Sequence, residues 1–339
     1  MIFLPFDALP KDQILRSQLL QEYFTEQCVS STLVDEGWSI DLQFPNFSEY
    51  YIDPNIMEGL AWWQSQLAVS EIPFAVRKEQ RFQLSLNDCW TLLAWSQWLS
   101  DYVEKIGLPS EIIILHVDDH DDLMSPRIWQ KESRWSDAIT EKNVNLLEPD
   151  SISNAIRSGA IGIGSFIVPL LHVIQRIQIR HLCATSYSVM RQGWYSLNPI
   201  FLSDTLLNPN KKRLAVELQP YPNLSSAIAT DNNSTYIVSA DLDEWLRDLP
   251  NNVPILLHID MDYFNNRFNG DSDWKIHTNC HDPSHKEIEM SINAMFDALY
   301  HKGVMDKVYN IAVALSPGFF PAEFWAPSII DRIRYHLNK

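Results

Sequence analysis

Apolar and polar positions follow two periods along this chain, and the unbroken apolar runs give the strongest signal. Ile112-Ile113-Ile114-Leu115-His116-Val117 and Pro254-Ile255-Leu256-Leu257-His258-Ile259 are nearly continuous aliphatic stretches. Such runs predict strands buried on both faces of a parallel sheet. Shorter β-rich runs predict further strands over Arg81–Leu86, Ile179–Ala184, Arg213–Leu218, Thr235–Val238 and Tyr309–Leu315. Helical spacing predicts helices over Ile14–Cys28, Met57–Val69, Cys89–Glu104, Ile152–Arg157, Phe166–Ile177 and Lys286–Lys302, with a closing helix beyond Glu323. Glu36–Ile52 reads as a mixture of strand and loop, and a polar loop runs through Trp129 and Trp135. Asn198–Asn233, dense in Pro, Asn and Ser, predicts surface loop or an edge hairpin. Alternating strands and helices predict an α/β fold, three-layer α/β/α with a mostly parallel central sheet. One domain over residues 1–339 is expected, with 1–75 as an N-terminal extension.

The ends of the two apolar runs carry the chemistry. The first continues into Asp118-Asp119-His120-Asp121-Asp122 and the second into Asp260-Met261-Asp262. Crowded carboxylates repel unless something positive neutralises them, and carboxylate oxygen with imidazole nitrogen suits divalent ions such as manganese. Residues alternate faces along a strand, so Asp118, His120 and Asp122 point one way and Asp119 and Asp121 the other. Ligands of open α/β sheets bind outside the carboxyl ends of the strands. Asp118, His120, Asp122, Asp260 and Asp262 therefore form a candidate metal site, with enough ligands for a pair of ions. Solvated loop starts and helix caps also gather acids. Two clusters with matched alternation, each directly after a buried strand, argue for a site. Asp88 stands where it would cap the following helix, and it also falls where it could reach the metals as a further ligand.

Composition narrows the partners. The 339 residues include 46% hydrophobic and 20% charged, an ordinary globular balance. With 26 basic against 43 acidic residues, the net charge of −17 disfavours nucleic acid and favours a cationic substrate. The N-terminus Met1-Ile2-Phe3-Leu4-Pro5 lacks the basic and apolar regions of a signal peptide, and no run is long enough to span a bilayer. A cytoplasmic protein without membrane or nucleic-acid partners is expected. Cys28, Cys89, Cys183 and Cys280 have no paired spacing and are expected to be reduced thiols.

Other motifs are weaker. Gly159-Ala160-Ile161-Gly162-Ile163-Gly164-Ser165 lacks the ending of a P-loop and predicts a tight loop feeding a helix. His277, Cys280, His281 and His285 could form a small zinc cluster, but Asp282-Pro283-Ser284 is a helix-start signature. Trp38, Trp62 and Trp63 could line a substrate entrance, but core packing or a subunit contact is the favoured reading. Glu323 follows the Tyr309–Leu315 strand on the side where metals would sit, and Asp271 lies in the polar loop after Asp262.

Asp118-x-His120-x-Asp122 with Asp260-x-Asp262 resembles the metal motifs of the arginase and histone-deacetylase (ureohydrolase-like) superfamily. The likeness to arginases is closer, with His258 in place of a serine in the second motif. His116-x-Asp118-x-His120-x-Asp122, Phe166-Ile167-Val168-Pro169 and Ser316-Pro317-Gly318 look like the branch that includes peptide arginases, which convert arginine side chains to ornithine in ribosomally made peptides during their maturation. The resemblance spans roughly residues 80–330. It implies a hydrolase with two Mn2+ ions, bridged by Asp118 and Asp260, with Asp122 completing one and His120 and Asp262 the other. It implies attack of activated water on a guanidinium, releasing urea from an arginine-containing precursor peptide. Two features depart from it. No histidine precedes His116, so Asp88 or Asn87 would replace an upstream metal histidine, and no histidine follows the first motif to match the arginase proton shuttle. Glu323, with Asp271 behind it, is the candidate to receive the guanidinium. A deacetylase or other amidohydrolase of the same fold, a dimetal phosphoesterase and a metal-binding non-enzyme scaffold are the competing readings.

Overall fold

The two apolar runs become neighbouring strands at the centre of a 12-stranded sheet. A computed structural model describes residues 2–338 except 25–26, 44–46, 133, 184–191, 221–232, 277–280 and 326. A small antiparallel sheet comes first, with β1 (Ile2–Leu4), β2 (Cys28–Val34) and β3 (Gly37–Gln43) in the order β1-β3-β2. The large sheet takes β4 (Val76–Lys78), β5 (Gln83–Ser85), β6 (Glu111–Val117), β7 (Ile128–Lys131), β8 (Arg134–Asp137) and β9 (Asn143–Val144). To these it adds β10 (Arg176–Leu182), β11 (Gly193–Ser203), β12 (Lys212–Pro220), β13 (Ser234–Ser239), β14 (Ile255–Asp260) and β15 (Val308–Ala314). Their spatial order is β4-β5-β15-β14-β6-β10-β13-β11-β12-β7-β8-β9.

The strands from β5 to β13 in that order run parallel. Antiparallel pairings extend the sheet at both ends. The sheet is therefore mixed, and the expectation of a mostly parallel one holds only for its middle. Parallel strands need cover on both faces. The β11–β12 hairpin is largely exposed along its far half and tolerates one open face. The region through Trp129 and Trp135, expected as loop, forms the hairpin β7–β8 instead.

Strand alternation divides the core. Ile113, Leu115, Val117, Ile255, Leu257 and Ile259 pack on one face with the helix His285–His301 and the helix Pro327–Leu337. Ile112, Ile114, Leu256 and Ile179 pack on the other with the helices Thr91–Lys105 and Pro149–Arg157. Because every second residue changes face, each central strand contributes to both clusters.

One expectation is corrected in detail. The helix over Phe166–Ile177 shrinks to Val168–Leu171, and the chain is already in β10 at Arg176. Arg176-Ile177-Gln178-Ile179 alternates at strand period, which overrides the helical start. Residues 1–75 contribute to two clusters. The small sheet and the helix Gln13–Tyr23 enclose their own cluster around Phe24, Trp38 and Ile40, whereas Ile56, Leu60, Trp63 and Ile72 join the main core. Trp38 and Trp63 are buried and Trp62 packs beside Arg77, so these tryptophans are core residues.

Candidate metal centre

Four adjacent parallel strands, β5, β15, β14 and β6, deliver their carboxyl ends to one place. Asp88 follows β5, Ser316 follows β15, Asp260 closes β14 with Asp262 just beyond, and Asp118–Asp122 follow β6. Their ligand atoms form three overlapping groups that could hold a metal ion, each with its atoms within 4.8 Å of one another. One group is His116, Asp118, Asp122 and His258; the second is Asp118, His120 and Asp262; the third is Asp88, Asp118 and Asp260. All six expected ligands are present, and Asp118 belongs to every group.

Loop turns, not strand alternation, achieve this convergence. β6 stops at Val117, and Asp122 adopts φ 52°, a left-handed conformation uncommon for a side chain with a Cβ. The Asp118 carboxylate accepts from the backbone N–H of His120 at 2.7 Å, and that of Asp260 from the N–H of Asp262 at 3.0 Å. These local bonds bend the chain directly after each strand. Ser316 and Asn269, at φ 43° and 49°, adopt the same region. The Ser316 hydroxyl donates to Asp260, and Asn269 Oδ1 accepts from His120 Nε2 at 3.2 Å. Backbone strain thus gathers at the site, where surrounding contacts hold it.

Asp118 uses one oxygen locally and Asp260 both, yet other oxygens remain open. Asp118 Oδ2 and Asp122 Oδ2 are buried and accept no hydrogen bond. Buried carboxylate oxygens with no hydrogen-bond partner are costly, and a divalent cation would satisfy them. The donor set therefore fits a metal. Asn269 fixes His120 with its proton on Nε2, leaving Nδ1 facing Asp262 Oδ2 at 2.9 Å as the atom available to an ion. Asn266 in turn bonds Asn269 and Asp119, each at 3.0 Å.

Directly beneath the carboxylates lies a row of three buried histidines that sequence reasoning missed as a unit. His181 of β10, His116 of β6 and His258 of β14 are aligned in register on adjacent strands. His181 Nε2 meets the Asp118 carbonyl at 3.0 Å while its Nδ1 meets the Tyr236 hydroxyl at 2.6 Å. His116 Nε2 meets the His120 carbonyl at 3.0 Å, and its Nδ1 meets His258 Nδ1 at the same distance. Carbonyls only accept, so His181 and His116 carry protons on Nε2, and His258 donates from Nδ1. Tyr236 therefore donates to His181, and two imidazoles pin the backbone of the acidic loop from below. The signal was visible in the repeat Leu-His-x-Asp, Leu115–Asp118 and Leu257–Asp260, in which each histidine precedes a ligand by one strand period.

Burial drives the two layers in opposite directions on the pH scale. It pushes His181 down to about 4 and His258 down to about 3, and lowers His116 well below the usual imidazole range, so the row is neutral. Burial, with the neighbouring Asp262 carboxylate, pushes Asp118 up to about 7. Burial first and then like charges, led by Asp118 for Asp122 and by Asp262 for Asp260, hold those two well above the normal carboxylate range. Burial alone would lower His120, yet the Asp262 and Asp118 carboxylates hold it well above its ordinary value.

The remaining candidates lie elsewhere in the network. Asp88 is buried beside Asp118 and Asp260, and it does not serve as the cap; Asn87 and Trp90 hold the cap positions. Glu323 pairs with Arg267 at 2.7 Å and accepts from Asn55 at 2.9 Å, and Asp271 caps a turn by accepting from the N–H of Asp273. Neither belongs to the groups that could hold a metal. Of the proposed zinc residues, His277 and Cys280 lie outside the described residues. Ser284 caps the helix that begins at His285, with Glu287 completing a capping box.

Among the described residues, no helix is long and apolar enough to cross a membrane. No protein-family model and no curated protein sequence matches the chain.

Proposed function

We propose that this chain is a metal-dependent hydrolase of the arginase type, acting on the guanidinium of arginine side chains in a peptide to give ornithine and urea. The observation that carries the reading is the sharing of Asp118 among three buried ligand groups at adjacent strand ends. A three-layer α/β/α arrangement belongs to the same reading, and the two apolar clusters on opposite faces of the sheet support it. Asp118, His120, Asp122, Asp260, Asp262 and Asp88 would hold two divalent ions, with manganese favoured by the carboxylate-rich donor set. Such ions, when bound, supply an activated water and positive charge opposite the reacting group.

The chain's own residues do the rest. His120 presents Nδ1 because Asn269 holds its other nitrogen, and Ser316 orients Asp260. The histidine row, neutral and hydrogen-bonded, keeps the Asp118–His120 backbone fixed without adding charge. A substrate guanidinium matches the fork geometry of a carboxylate. Glu323 can receive it only by releasing Arg267, its present partner. A peptide substrate rests on the motif resemblance alone.

The group His116, Asp118, Asp122 and His258 favours one alternative, an amidohydrolase of the same fold. Two imidazoles beside two carboxylates suit zinc better than manganese.

The deciding experiment incubates the manganese-loaded protein with an arginine-containing peptide and, separately, with free arginine. Release of urea with conversion of the peptide's arginine to ornithine by mass spectrometry, lost in Asp260→Ala, is the expected result. Urea from free arginine alone would make it an ordinary arginase. Bound metal without either product would overturn the arginase reading in favour of amide hydrolysis.

A further inference from the structure

A cavity of about 280 Å³ opens between the helix Gln13–Tyr23 and the segment just beyond Asp122. Tyr23, Ser125, Arg127, Ser165, Thr205 and Arg213 line it, together with the exposed Glu22. Two guanidiniums thus face one small space. Arg127 is buried, its Nε donating to the Tyr23 carbonyl at 2.7 Å and its Nη1 to the Gly159 carbonyl at 2.9 Å. Arg213 lies over the Tyr23 ring, 4.9 Å from its centroid.

The charge of Arg213 is not closed. Arg213 makes no ion pair among the described residues, and its Nε is buried without an acceptor. In a chain of net charge −17, acids are plentiful, so an arginine left without one is informative. Asp204, the acid joined to Tyr23, is already saturated. It accepts from the Tyr23 hydroxyl at 2.7 Å, from Trp129 Nε1 at 2.6 Å and from the backbone N–H groups of Leu206 and Leu207. The Ser125 and Ser165 hydroxyls are committed to the carbonyls of Leu214 and Gly162. What remains to a ligand is the fork of Arg213, backed by the positive charge of Arg127. Two like charges on one aromatic ring, partly withdrawn from water, are relieved by an anion between them.

We propose that this cavity binds a small molecule carrying an oxyanion, a phosphate or a carboxylate, received by Arg213. The planar guanidinium matches both groups through paired N–H donors. The volume, at the lower edge of small-ligand sites, suits a metabolite-sized molecule and not a macromolecule. Glu22 works against anions of high charge. The site is separate from the metal ligands, although Met124, whose N–H bonds the Gly164 carbonyl at 2.8 Å, joins the cavity wall to the acidic loop.

The test titrates the full chain, with a chelator present, against inorganic phosphate and against succinate, with sodium chloride at matched ionic strength as control. Thermal midpoint and calorimetric heat are both read. Saturable binding of at least one probe is expected, weakened at least about tenfold in Arg213→Gln and unchanged in Asp260→Ala. Phosphate alone would identify a phosphorylated ligand, and succinate alone a carboxylate. Effects that sodium chloride reproduces, or binding that Arg213→Gln leaves intact, would overturn the proposal. Arg213→Lys, which keeps the charge and loses the fork, is expected to bind with intermediate affinity and guards against misfolding of the glutamine variant.

Discussion

Two layers of buried titratable groups lie one above the other at the ends of β10, β6 and β14, and the fold treats them in opposite ways. In the lower layer, His181, His116 and His258 lose their charge to burial, and every ring nitrogen but His258 Nε2 finds a partner that suits the uncharged form. The upper layer is equally buried, yet Asp118 and Asp122 retain oxygens with no donor. Burial alone does not make a site. The difference is whether the neutral state satisfies its surroundings. In the histidine layer one ring nitrogen, His258 Nε2, lacks a hydrogen-bond partner, whereas the carboxylate layer leaves oxygens of both Asp118 and Asp122 that a cation could satisfy.

Removing the shared ligand breaks this contrast most severely. Asp118→Asn should lower divalent-metal affinity at least about 100-fold, because every ligand group loses a member. The same change should raise the thermal midpoint of the metal-free protein above neutral pH, since one buried charge is gone. Isothermal titration with Mn2+ and thermal unfolding with chelator would read the two effects. Weakened metal binding without stabilisation of the metal-free form would show that Asp118 is not strained in the absence of an ion.

pH separates the layers next. Asp118 is raised from an ordinary 3.8 to about 7, so the folded state holds a proton that the unfolded state has released between those values. Stability of the metal-free protein is therefore lost as pH rises through that window. The histidines are lowered from 6.5, so the unfolded state takes up protons first as pH falls below that value, and their contribution is lost towards acid. Between about pH 6.5 and 8 the raised carboxylates and the raised His120 give slopes of the same sign. Metal-free protein should lose stability across that interval, and saturating Mn2+ should abolish the loss. A flat profile without metal would contradict the raised carboxylates.

The smallest effect sharpens the role of the lower layer. His181→Phe removes the donor to the Asp118 carbonyl and should weaken metal binding about tenfold. His181→Gln, whose amide can donate to the same oxygen, should restore most of the loss. Amide exchange of residues 118–122 in the metal-free protein should follow the same order. Equal behaviour of both variants would mean that the histidine fills space and does not position the loop.

Much of the site was legible before the fold was known. The runs Ile112–Val117 and Ile255–Ile259 announced buried parallel strands, and their acidic ends announced the ligands, because such crowding has few solutions without a cation. The manner of convergence was not legible. Asp122 reaches the site through a positive φ, whereas alternation had assigned its direction by strand geometry. The partner of Glu323 was equally hidden, since Arg267 reaches it from a separate loop. The antiparallel half of the sheet was underestimated because β7 and β8 are short and tryptophan-rich, with little of the aliphatic pattern that marks the centre.

The sequence by itself determined the strand-forming runs, the identity of the carboxylates and the α/β character, all of which are local properties of composition and period. Tertiary structure alone decided that β10 lies beside β6 and places His181 under Asp118. It also decided that Asp88 joins Asp118 and Asp260, and that Arg213 meets Tyr23 with no ion pair among the described residues. These pairings depend on strand order and register across segments far apart in the chain, which a side-chain period carries no information about.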